Sequence, residues 1–350
     1  MDTEATHAGA AAGSASLREL DGLPAGLLER SASELAAALG GPALIHLPGQ
    51  AEPPVFASVL LHGNEPTGWE AVRAVLARYS ERPLPRALSL FVGNVAAAAE
   101  GLRLLPGQPD YNRIWRGGGG AEDAMAAAVW QRMAERGVFA SVDIHNNTGR
   151  NPHYACINRL EHRFLRLATL FGRTVVYFTQ PDSVQSNAFA ELAPAVTVEC
   201  GQPGEPHGVE HAARFLDAVL HLSELPATPV PVHDYDLYHT VATVTVREDV
   251  DFGFSEGDLV LREDLDHLNF VELPAGTGFG RVRCGAQQPG EVVAAHNEQG
   301  EEVAARYFWL DNGELRTRLR LMPSMLTRDP AIIRQDCLCY LMERLPPVTD

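Results

Sequence analysis

The chain has 350 residues, enough for roughly two domains of ordinary size. Its 45% hydrophobic and 21% charged content is that of a folded globular protein and excludes a disordered, collagenous or coiled-coil chain. All 28 basic residues are arginine, against 45 acidic ones, giving a formal net charge of −17. That balance argues against nucleic acid or an anionic membrane as a partner, and the absence of lysine removes any Schiff-base or P-loop lysine.

Residues 1–16 are rich in Ala, Gly and Ser and are expected to be disordered. They lack the basic start and apolar run of a secretory signal, and no apolar run in the chain approaches the ~20 residues of a membrane helix. The five cysteines (Cys156, Cys200, Cys284, Cys337 and Cys339) are irregularly spaced with no C-x-x-C, which reads as reduced thiols in a cytoplasmic protein.

Helical spacing runs over 24–39 and stops at Gly40-Gly41. Strands are predicted at 55–61, 87–92, 139–144, 174–178 and 195–200, with helices at 68–79, 122–136, 158–171 and 210–223. Such alternation indicates an α/β sheet with helical crossovers. Three prolines within 225–232 mark a boundary. Beyond it, short alternating strands such as 240–247 and frequent Gly turns predict a mostly β region, closed by a helix at about 330–344. The expected organisation is therefore a disordered segment 1–16, an α/β domain 17–226 and a smaller β-rich domain 227–350 ending in a helix.

Three predicted strands end in polar groups: VLLHGNE supplies His62 and Glu65, SVDIHNNTG supplies Asp143 and His145, and VTVECG supplies Glu199. Ligands of open α/β sheets bind outside the carboxyl ends of the strands, so the three ends are expected to converge. Two imidazoles and a carboxylate make a three-ligand zinc site with an open position for water, and a further carboxylate can deprotonate that water. Each residue alone has a plainer reading: His62 and Glu65 as a surface-loop pair, His145 as a satisfied strand-end histidine, Glu199 as a helix-entry residue. Asp143, on the same strand face as His145, either orients that ring or forms a strand-end ion pair. Asn146, Asn147 and Thr148 can supply polar contacts to a substrate.

The ordered set HGNE at 62–65, YNR at 111–113, DIHNNTG at 143–149 and VECG at 198–201 resembles the succinylglutamate desuccinylase/aspartoacylase family of the zinc carboxypeptidase superfamily. The resemblance implies a mixed sheet flanked by helices with a smaller β-rich C-terminal domain. It implies one Zn2+ per chain held by His62, Glu65 and His145, with Glu199 as the general base. Asn112 and Arg113 correspond to the pair that binds the substrate carboxylate, for which a guanidinium fork is suited. Arg103 corresponds to an arginine beside the scissile carbonyl that would stabilise the oxyanion, or is a solvated surface charge. A dimer or larger homo-oligomer is also implied.

One departure concerns the substrate. The aspartoacylase branch carries an arginine about ten residues before the catalytic glutamate, whereas 185–199 (QSNAFAELAPAVTVE) has none. Arg150 or His153 is a candidate replacement, and Tyr235, Tyr238 and Tyr307 are candidates for the family's C-terminal tyrosine. The expected activity is zinc-dependent hydrolysis of the amide bond of an N-acyl amino acid or similar small carboxylate-bearing amide. The alternatives are a metallocarboxypeptidase acting on short peptides or peptidoglycan fragments, and a non-catalytic zinc- or ligand-binding protein.

Overall fold

The computed structural model describes residues 17–147 and 149–348; the N-terminal segment expected to be disordered lies outside them. Nine strands come in the first 246 residues: β1 Arg18–Asp21, β2 Ala43–Leu47, β3 Val55–Val59, β4 Leu88–Val92, β5 Ala140–His145, β6 Tyr154–Ile157, β7 Thr174–Tyr177, β8 Ala195–Glu199 and β9 Asp236–Val246. Eight more follow: β10 Phe252–Gly253, β11 Leu259–Leu261, β12 Gly278–Val282, β13 Val293–His296, β14 Phe308–Asp311, β15 Glu314–Thr317, β16 Met322–Ser324 and β17 Cys339–Arg344.

Among the described residues, twelve strands form one mixed sheet in the order β1-β2-β4-β3-β5-β8-β6-β7-β9-β17-β16, with β13 also pairing β9. The central strands β3, β5 and β8 run parallel. They are mainly apolar and do not alternate apolar with polar residues, as expected of strands covered on both faces, and every residue of β3 and β5 is buried. The helices Thr67–Ala77 and Pro206–His221 pack on each other and turn Trp69, Val72, Val75, Phe215, Leu216 and Val219 into this core. A second sheet, β10-β11-β12-β15-β14, shares a second core, around Phe279 and Phe308, with β9, β13 and β17 of the first.

The predicted strands and crossover helices of the first half are present with shifted ends, and two expectations are corrected. The helix expected over 24–39 is only a 3-10 turn Ala32–Glu34 followed by Leu35–Leu39. Its start is set by Ser31 and Glu34, whose side chain accepts from the Ser31 backbone N–H, and Gly40 ends it at φ 74°. The closing helix is confined to Pro330–Gln335, and 339–344 is instead strand β17, antiparallel to β9 and β16. Beyond residue 227, β9, β13, β16 and β17 extend the first sheet, which carries the C-terminal region across to the site.

Candidate active site

The chain leaves β3 through Leu60, whose φ of 56° is rare for a bulky residue. This turn delivers His62-Gly63-Asn64-Glu65 to the carboxyl edge of the sheet. A Cβ at Gly63 would lie 2.3 Å from the backbone of Ala97 and Ala98, so only glycine lets the loop pack there. In the β5–β8 register His145 stands opposite Glu199. Gly201, at φ 75°, turns the chain so that its carbonyl accepts from the Asn146 side chain (2.9 Å) and the Asn147 backbone (3.2 Å).

His62 Nδ1 and His145 Nδ1 each lie 2.8 Å from a different oxygen of Glu65, and the two rings meet edge-on at 5.0 Å. One donor atom from each of His62, Glu65 and His145 falls within 4.8 Å of the others, and all three residues are buried. Each ring turns its other nitrogen to a second carboxylate: His62 Nε2 is 3.0 Å from Asp110, and His145 Nε2 is 2.8 Å from Asp143. Asp143 is fully buried and accepts from Ser58 Oγ at 2.6 Å. Such a partner on the far nitrogen fixes the tautomer and ring orientation of a metal-binding histidine. The donor set and its outer carboxylates therefore fit a divalent metal of the zinc type.

The electrostatics follow from this packing. Burial opposes charge on Glu65, but the two imidazoles beside it outweigh burial and hold its carboxyl far below the usual range. Burial likewise opposes protonation of His62 and His145; Glu65 raises the former, and Asp143 with Glu65 raises the latter. Burial pushes the Glu199 carboxyl up to about 7 against the pull of His145, with Glu65 adding to the rise. Asn147 donates to Glu199 at 3.3 Å.

A cavity of about 120 Å³ gathers His62, Glu65, Arg103, Asn112, Arg113, His145, Asn146 and Glu199. Arg103 is not a free surface charge: it pairs with Asp110 (3.2 Å) and Glu65 (3.5 Å). Arg113 donates to the Asn112 carbonyl. Asn112 is locked by accepting the Gln185 backbone N–H and by donating its own to Asp110. The Asn146 side chain is taken up by the Thr67 and Gly201 backbone, so it positions the loop. Asn147 lies beside Glu199 and a neighbouring cavity. Thr148 lies outside the described residues.

Sequence reasoning missed several residues. Asp110 bridges His62 and Arg103; its signal was an acid two positions before Asn112. Tyr154 and Tyr340 line the cavity, whereas Tyr235, Tyr238 and Tyr307 do not. Arg150 contacts His267 and His153 packs on His211 and Phe171, so neither lines it. From the C-terminal half come Thr240, Ser324, Met325, Asp336 and Tyr340, brought there by the extended sheet.

The parallel-centred sheet thus gathers at its carboxyl edge two imidazoles and a glutamate that could hold a metal ion, with a second glutamate beside them. Residues 55–225 match the succinylglutamate desuccinylase/aspartoacylase catalytic domain, so this part of the chain is a domain of that family. Among solved structures, succinylglutamate desuccinylase from Vibrio parahaemolyticus is similar at TM-score 0.58 and 12% identity, over 91% of this chain and 96% of that one. Succinylglutamate desuccinylase from Vibrio cholerae is similar at 0.56 and 16%, over 85% and 84%, and murine aminoacylase 3 at 0.54 and 16%, over 84% and 97%. At such identities these likenesses show a shared fold, C-terminal half included. No curated protein sequence matches the chain. Among the described residues no helix is long and apolar enough to cross a membrane.

Proposed function

We propose that the chain is a zinc-dependent amidohydrolase that cleaves the amide bond of a small N-acyl amino acid, releasing a carboxylic acid and a free amine. The observation that carries this is the convergence of His62, Glu65, His145, Glu199 and Arg113 on one cavity.

His62, Glu65 and His145 would hold one zinc ion. When bound, zinc polarises the scissile carbonyl and acidifies water. Glu199 takes the proton from the attacking water and hands it to the leaving nitrogen, a role suited to a carboxylate whose burial brings its pKa near neutrality. Asn147 holds the Glu199 carboxylate in place. Arg113, positioned by the Asn112 backbone, presents its guanidinium to the substrate carboxylate. Arg103 stabilises negative charge developing on the carbonyl oxygen, and Asp110 sets its orientation. Thr240, Ser324, Met325 and Tyr340 close the cavity from the C-terminal half, which favours small amides over extended peptides.

The test is release of primary amine from a panel of N-acyl amino acids by zinc-loaded protein, beside a di- and tripeptide panel. Turnover of the amides, lost in Glu199→Gln with zinc retained, supports the reading. Turnover of peptides alone would instead make the chain a carboxypeptidase.

A further inference from the structure

The cavity has two chemically different ends. The polar end holds the candidate metal ligands, Glu199, Asn112 and Arg113. The other end is a patch of the sheet itself. In register, Asp143 on β5 stands beside Thr197 on β8, Thr197 beside Cys156 on β6, and Cys156 beside Val176 on β7. Residues two apart on a strand share a face, so Thr197, Cys156 and Val176 lie on the face that carries His145 and Glu199. Tyr154 stands opposite Glu199 in the same register. The floor running away from Glu199 is therefore Thr197, Cys156 and Val176, with Tyr154 and Phe178 continuing it; the latter four belong to one apolar cluster. Val184 and Pro181 close its side.

Positive charge is scarce in this cavity. Among the described residues it is lined by two arginines only. Arg103 is already committed to Asp110 and Glu65, which leaves Arg113 for one substrate carboxylate. Glu199 and Asp336, both lining the same cavity, would repel a second. An anionic side chain on this floor would give up its hydration with no cation to meet it.

We propose that the substrate's amino-acid half carries a single carboxylate and an uncharged, apolar side chain, which lies on the floor formed by Cys156, Val176, Phe178 and Val184. This rests on the amidohydrolase reading for the reaction but not for the binding. A hydrophobic pocket commonly discriminates by a factor of ten or more, and exclusion of an unpaired anion adds to it.

Two readouts separate binding from reaction. Calorimetric titration of zinc-loaded protein with L-phenylalanine, L-leucine and L-aspartate reports the pocket without chemistry; the apolar amino acids are expected to bind at least tenfold more tightly. Amine release from N-acetyl-L-phenylalanine, N-acetyl-L-leucine, N-acetyl-L-aspartate and N-succinyl-L-glutamate reports the reaction, with the same order in kcat/KM. Phe178→Arg, at the partly exposed edge of the floor, is expected to narrow or reverse the preference while zinc content stays at the wild-type level. Apolar binding preference without hydrolysis of any amide would support this inference and sink the proposed reaction. Hydrolysis with diacids preferred would keep the reaction and overturn the inference, as would equal or undetectable binding of all three amino acids.

Discussion

Asp143 offers a sharp test of how the site is held together. Its side chain is fully buried between Ser58 Oγ at 2.6 Å and His145 Nε2 at 2.8 Å. Asn at this position can keep both contacts, with Oδ1 facing the imidazole N–H and Nδ2 donating to the Ser58 hydroxyl, which also accepts. What Asp143→Asn removes is the charge that strengthens the imidazole as a donor to metal. Outer-shell substitutions cost 10- to 100-fold in metal affinity. Retained geometry places Asn at the lower end, about tenfold or ~1.4 kcal/mol. Asp143→Ala also frees the ring and leaves Ser58 without its acceptor, so it belongs at the upper end, about 100-fold. The assay is competitive zinc titration against a chromophoric chelator. Wild-type affinity in both variants would refute the outer carboxylate's role, and equal losses would mean that charge, not geometry, is what Asp143 supplies.

Four other outcomes are expected. Glu199→Gln should bind zinc normally while kcat falls by about 10²–10⁴, the usual contribution of a positioned general base; paired metal analysis and steady-state kinetics check this. Arg113→Ala should raise KM for carboxylate-bearing amides far more than it lowers kcat, whereas Arg103→Ala should lower kcat, so comparing the two variants separates anchoring from oxyanion stabilisation. Trp69 is fully buried and donates its indole N–H to the Arg30 carbonyl. Trp69→Ala should cost about 3–5 kcal/mol in urea unfolding. Stripping zinc with a chelator should lower Tm, with restoration on adding zinc back, because a ligand bound only by the native state stabilises it; an unchanged Tm would argue against a bound metal.

Much of the site is legible in the sequence because its residues punctuate apolar runs. His62 follows, and His145 and Glu199 end, mainly apolar strands (VFASV, ASVDIH and AVTVE) in the buried centre of the sheet, and polarity at such an edge stands out. Asp110 is hidden because its partners, His62 and Arg103, are 48 and 7 residues away and it sits in a loop with no periodicity. The same lack of local signal hides the C-terminal contribution. Residues 337–342 (CLCYLM) form an apolar run that periodicity cannot divide between helix and strand; the need of β9 for an antiparallel partner decides it. The proline-rich segment at 225–232 suggests a domain border, yet a sheet can continue through a stiff connection, and the order β7-β9-β17 shows that it does. The short first helix is marked by the S-x-x-E of Ser31 and Glu34, but helical Leu spacing upstream extends the apparent helix too far toward Pro24.

The most direct measurement is the metal content of the purified protein by mass spectrometry, with His62→Ala alongside. About one zinc per chain is expected in the wild type, and its loss in the variant. A wild-type protein that holds no metal even after incubation with zinc, or a variant that keeps it, would mean that His62, Glu65 and His145 do not form a metal centre.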